Sequence, residues 1–157
     1  MINDGIGFQG KIEYTLFDEN GNVKDYGIIH NQVQTLVRER VIDALDTGTF
    51  GTEIVAMAVG YGDQGGTYNG SVGSAHLWSK ASDEDLTSQT QPTSTTLQNV
   101  ATFRSITGTI KEAGLFDASA CADDMYFHNH TLNVVMTASD SLQITWTISC
   151  KIGRAHV

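Results

Sequence analysis

Residues 142 to 149 read Leu-Gln-Ile-Thr-Trp-Thr-Ile-Ser, an unbroken alternation of large apolar and small polar side chains. Successive side chains of an extended backbone point to opposite faces, so Leu142, Ile144, Trp146 and Ile148 line one side and Gln143, Thr145, Thr147 and Ser149 the other. A helix would scatter both sets around its circumference. This segment is therefore expected to be a strand with one buried face. Because a lone strand cannot bury that face, the rest of the chain has to supply further layers. Its expected antiparallel neighbour is Met125 to Met136, joined through the short polar loop Thr137-Ala138-Ser139-Asp140-Ser141.

The same period recurs near the start. In Lys11 to Phe17, Ile12, Tyr14 and Leu16 alternate with Lys11, Glu13 and Thr15. Asp18-Glu19-Asn20-Gly21-Asn22 has the residue types that tolerate a reversing loop, and Val23 to Ile29 resumes apolar extended character, so the two runs predict a hairpin. Ile54 to Val59 is a short apolar run that ends in Gly60-Tyr61-Gly62, which favours a buried strand. Further strands are expected at Leu97 to Ile106 and Thr109 to Lys111.

One stretch changes period. Val33, Leu36, Val37, Val41, Ala44 and Leu45 recur every three to four residues, with Gln34, Arg38, Glu39 and Asp43 on the opposite face. This predicts one amphipathic helix over about 32–46, N-capped by Asn31 and ended at Gly48 by a left-handed residue. Residues 63–74 are glycine-rich and aperiodic. Their middle, Gly65, Gly66, Thr67, Tyr68, Asn69 and Gly70, is the segment expected to contact a partner. Residues 79–96, around Pro92, are polar and rich in Ser and Thr, and are expected to be mostly loop.

Sixteen glycines against one proline and only 17% charged residues suit tight turns and strands better than solvated helices. Together with the element count, they predict a mainly β chain: one antiparallel β-sandwich domain over 1–157, with one helix. Eighteen acidic against nine basic residues leave a net charge of −9, which repels phosphate backbones and anionic headgroups. Nucleic acid and membrane partners are not expected. No run is apolar enough to span a bilayer, and Met1 to Gly10 lacks the basic and apolar regions of a secretion signal, so a soluble, cytoplasmically made chain is expected. Cys121 and Cys150 form neither a disulfide framework nor a metal-type pair, and free thiols are the expectation.

Motifs that could carry chemistry fail on context. Gly60-x-Gly62-x-x-Gly65 matches a dinucleotide fingerprint, but more loop follows it instead of a helix N-terminus. Asp18, Asn20 and Asn22 alternate like the start of a calcium loop, yet Val23 stands where glycine is required. His128 and His130 would share one face of a strand and could hold a metal with a third ligand, for which the sequence names only loose candidates in His30, His76 and Asp123. No Gly-x-Ser-x-Gly elbow or HExxH occurs. The expectation is a chain without catalytic residues, cofactor or metal.

The order of the segments carries a further indication. Lys11 to Val23 is followed by Asn31-Gln32-Val33 opening a helix with Arg38, then by Ala56-Met57-Ala58-Val59-Gly60-Tyr61-Gly62, Ile110-Lys111-Glu112-Ala113-Gly114-Leu115-Phe116 and Asp140 to Ile148. This succession resembles small structural proteins of tailed bacterial and archaeal viruses. The resemblance implies a jelly-roll-like sandwich that decorates or cements a capsid, commonly as a homotrimer, with the major capsid protein or other virion proteins as partners. Tail-tip, fibre or baseplate use is the alternative within that class. Outside it, Tyr61, Tyr68 and Trp78 near the glycine loop raise a carbohydrate-binding, host-adhesion module.

Overall fold

The computed structural model describes residues 5–31, 41, 44–46, 48, 53–62, 77–119 and 125–153. Eleven strands run in chain order: β1 (Gly5–Phe17), β2 (Val23–Asn31), β3 (Ala56–Gly60), β4 (Lys80–Asp85), β5 (Ser88–Thr93), β6 (Thr96–Arg104), β7 (Gly108–Ile110), β8 (Glu112–Phe116), β9 (Met125–Asn129), β10 (Val134–Met136) and β11 (Ser141–Gly153). They form a five-stranded sheet ordered β2-β1-β11-β6-β5, a four-stranded sheet ordered β4-β3-β8-β9, and a short β10-β7 ladder. Every pairing is antiparallel. The chain is thus mainly β with a sandwich-like arrangement, as its alternation predicts; jelly-roll connectivity is a narrower statement than this strand order makes.

β11 lies at the centre of the larger sheet. β1 pairs with it along its whole length, from Gly5 opposite Gly153 to Phe17 opposite Ser141, and β6 covers its other edge. Its inward residues Leu142, Ile144, Trp146 and Ile148 are buried, and they share one core with Ile12 and Leu16 of β1, Phe103 of β6, Met57 and Val59 of β3, and Leu115 of β8. Phe127 of β9 meets Trp146 edge-on across the two sheets, with ring centroids 6.5 Å apart.

Three strands of the smaller sheet, β3, β8 and β9, are buried on both faces. β3, β8 and β9 have no exposed residue, because Ala56, Ala58, Phe116 and Met125 pack with Leu77 in a second cluster behind the first. A strand covered on both sides has no polar face to alternate with. This is why Ile54 to Val59 and Ala113 to Phe116 read as continuous apolar runs.

Local chemistry accounts for the turns. Asp18 Oδ1 accepts hydrogen bonds from the backbone N–H groups of Asn20 and Asn22, each at 2.9 Å, and Gly21 takes φ +82°, so the alternating Asp18-x-Asn20-x-Asn22 run is a hairpin loop. Val41 and Ala44–Asp46 are helical, and Gly48 closes them with φ +73° and an N–H bond to the Ala44 carbonyl at 2.8 Å. This is the predicted left-handed C-terminus. The helix start lies outside the described residues.

Two expectations are corrected. Residues 79–96 are not mostly loop but carry β4 and β5, both outermost strands. An outermost strand holds its place by backbone bonds while its side chains stay in water, so it needs no apolar signature, and Pro92 is tolerated there. Met125 to Met136 is neither one strand nor the neighbour of β11. It breaks after Asn129, whose Oδ1 accepts the Thr131 N–H at 2.9 Å in a local turn, and its two pieces pair with β8 and β7. The loop before β11 then leads to a different sheet. Asp140 organises it, accepting the Thr137 N–H at 2.8 Å and the Lys24 ammonium of β2 at 2.8 Å. The Lys24 bond, followed by that of Thr137, holds the Asp140 carboxyl below the ordinary carboxylate range.

Truncating the centre of this core should be costly. Ile144→Ala is expected to destabilise the fold by about 2–5 kcal/mol, the range for removing a buried branched side chain without collapse of the site. Urea unfolding followed by Trp146 fluorescence measures it, and a loss well under 1 kcal/mol would show that β11 does not centre the core.

Candidate functional site

Glu112 opens β8 and is completely buried, the one carboxylate in an otherwise apolar strand. A buried ionised carboxylate persists only where donors replace water. Three converge on it: Ser79 N–H reaches Oε1 at 2.9 Å, Trp78 N–H reaches Oε2 at 3.1 Å, and His128 Nε2 stands 3.2 Å from Oε2. Burial pushes the Glu112 pKa up, but the bonds from His128, Ser79 and Trp78 outweigh it and hold the carboxyl below its ordinary value.

The surrounding backbone is fitted to this carboxylate. Gly60 ends β3 directly beneath it, and a Cβ there would collide with Glu112 Oε1 and lie 2.5 Å from the Ser79 carbonyl. Tyr61 N–H donates to that carbonyl at 2.8 Å, and Lys111 N–H donates to the Gly60 carbonyl at 2.9 Å. Gly62 then turns away with φ +75°, a conformation that suits a residue without a side chain. Glu112, Tyr61 and Ser79 thereby pin together the two places where the chain leaves for, and returns from, residues 63–76.

Aromatic and imidazole rings cover the clamp. Trp78 stands edge-on to His128, with centroids 6.3 Å apart at 88°, and tilts over His130 at 5.9 Å; the two imidazoles are 5.8 Å apart. His128 and His130 do share a face as their spacing predicts, but His128 is buried on Glu112 whereas His130 is exposed. No group of three metal-ligating side chains forms among the described residues. The arrangement tethers a backbone segment to a sheet, and its carboxylate faces protein donors instead of an open cleft.

Other sequence candidates fall as follows. Gly65, Gly66, Thr67, Tyr68, Asn69 and Gly70 lie outside the described residues, as do His76, Cys121 and Asp123. Gly60 and Gly62 of the glycine fingerprint serve close packing. Cys150 carries a free, half-buried thiol and lines a cavity of about 410 Å³ walled by Phe8, Leu97, Phe127 and Ile148. Glu112 was not singled out by any motif, although a signal existed: a lone acid heading an apolar run must bring its own donors. Comparison with family models, curated proteins and solved structures finds no match to this chain.

Because the folded Glu112 pKa is depressed, its contribution is complete above the unfolded value near 4.5 and fades as pH falls through the folded value. Glu112→Ala, which leaves buried donors and His128 unmatched, should destabilise the protein at neutral pH by about 3 kcal/mol. Glu112→Gln should flatten the stability loss of the wild type below pH 4.5. Urea melts across an acid pH series measure both, and an identical acid slope in Glu112→Gln and wild type would assign the pH dependence to other groups.

Proposed function

We propose that this chain is a virion structural protein of a tailed bacterial or archaeal virus, most of all a capsid decoration or cement protein. It would act by contact with the major capsid protein or other virion proteins, not by catalysis. The observation that carries the reading is the Glu112 clamp, which fastens the chain on both sides of residues 63–76 to β3 and β8, two strands buried on both faces. Pinning the ends of a loop lowers the entropy left to lose when a partner orders its interior. A contact segment so held could add modest binding energy at each copy, and symmetry on a particle multiplies it.

Two features agree with this reading. The succession of segments resembles virion structural proteins, and a net charge of −9 disfavours nucleic acid and anionic lipid as alternative surfaces. Tail-tip, fibre or baseplate placement would use the same contacts at another station. For a sugar-binding role, Tyr61 reaches the Thr107 carbonyl through its hydroxyl at 3.4 Å and Trp78 packs with the two histidines, while Tyr68 lies outside the described residues.

Two measurements test the proposal. Electron microscopy of purified particles carrying a tagged copy should locate the chain on the outer capsid; a tail location would move it to the alternative, and absence from particles would end the virion reading. Deleting residues 66–72 should leave a folded protein, by circular dichroism, whose capsid occupancy drops about tenfold or more. Unchanged occupancy would remove the segment from the contact.

A further inference from the structure

β5 leaves one end of the sandwich unfilled. Its pairing with β6 sets Gln89 opposite Asn99, and the Gln89 amide donates to Asn99 Oδ1 at 2.8 Å, so this position presents a polar group to the smaller sheet and no apolar bulk. Phe8 of β1, Leu97 of β6, Phe127 of β9 and Ile148 of β11 are left around a cavity of about 410 Å³. Apolar walls without facing atoms forgo dispersion contact, so an empty space of this size is a loss to the chain by itself. Its volume falls within the range of small-molecule sites.

Hydrogen bonds frame the space. The Cys150 N–H donates to the Thr95 carbonyl at 2.9 Å and fixes the end of β11 to the β5–β6 turn, inside which the Thr93 N–H donates to Thr96 Oγ1 at 3.1 Å. The Gln89 amide also donates to the Ile54 carbonyl at 3.1 Å, which ties the larger sheet to the chain entering β3. A backbone carbonyl only accepts, so this bond, and that from Asn99 Nδ2 to the Trp146 carbonyl at 3.2 Å, fix which way both amides face. The Gln89 nitrogen is thereby used, and its oxygen is the acceptor that it offers a ligand. A site framed before anything enters spares the ligand the cost of ordering it.

We propose that this cavity binds an uncharged, compact and largely apolar small molecule that carries one hydrogen-bond donor. Size sets the first limit. At roughly 30 Å³ for each water-sized group, the space holds about a dozen non-hydrogen atoms, enough for a fused ring or a medium-length chain and too little for a strand or helix of a partner. Charge sets the second. Glu53 is the one charged side chain among the described lining residues, and the chain carries a net charge of −9, so a carboxylate or phosphate head is repelled. Glu53 is exposed, and a carboxylate in water gives a cation little in return for its hydration. The donor of the ligand pairs with the Gln89 oxygen at the rim. The cavity shares no residue with the Glu112 clamp, and the proposal is independent of the virion reading.

Calorimetric titration of the full chain with a matched pair of probes tests it. Naphthalenemethanol should bind with a dissociation constant of about 1 mM or tighter, and naphthoate, which has the same rings and a carboxylate, about tenfold more weakly or not at all. Cys150 lines the cavity and reports position: in a Cys121→Ser chain, alkylation of its thiol by iodoacetamide should slow about fivefold when the alcohol is present at about four times its dissociation constant. Cys150→Phe, which puts a ring into the space, should weaken binding by about tenfold or more with an unchanged circular dichroism spectrum. No binding of the alcohol, naphthoate binding as tightly, alkylation that is indifferent to the alcohol, or a folded Cys150→Phe chain that binds as before would each overturn the proposal. Shielding of the thiol by higher protein concentration alone would give the walls to a second copy and overturn it as well.

Discussion

The fold depends on β11 being covered along both edges and one face at once. β1 and β6 satisfy its backbone, and the residues Leu142, Ile144, Trp146 and Ile148 supply the inner face against which the smaller sheet closes. These pairings join the two ends of the described chain, so they cannot form until nearly all of it has been made and the intervening chain has lost its freedom. The strand that specifies the core most clearly is also among the last that can be placed. Cooperative unfolding is the natural consequence, since losing β11 exposes both of its neighbours.

Burial on both faces of β3, β8 and β9 sets a second constraint. A strand without a wet side leaves a charged side chain no water, and Glu112 is tolerated because Ser79, Trp78 and His128 stand in for it. An apolar residue of similar volume could fill the space, yet it could not hold two successive backbone N–H groups in place. The acid therefore contributes geometry more than energy: it fixes where a long segment departs from and rejoins the sheet. Gly60 belongs to the same device, since any side chain there would displace the carboxylate.

These two constraints commit most of the described interior to the core and the clamp, apart from the cavity beside Cys150. The buried acid faces protein donors from residues 78, 79 and 128. Exposed Tyr26 and Ile28 on β2 and the clamp around Glu112 belong to different sheets.

The sequence by itself determined the class of structure and several local elements. Period-two alternation in 11–17 and 142–149, the Asp18 to Asn22 turn and the Gly48 helix end are local consequences of side-chain direction and backbone freedom, and they survive in the fold unchanged. Only the tertiary structure decided which strands are neighbours. A five-residue polar loop such as 137–141 fits a hairpin or a crossing between sheets equally well in length, and the choice fell to β1 and β6, distant in sequence, which pair with both edges of β11. The outermost strands β4 and β5 were illegible because backbone bonds hold them, and backbone bonds leave no mark on residue type. Glu112 showed its oddity in sequence, but its partners at 78, 79 and 128 come together only in space, which is why the clamp belongs to the fold and not to any motif.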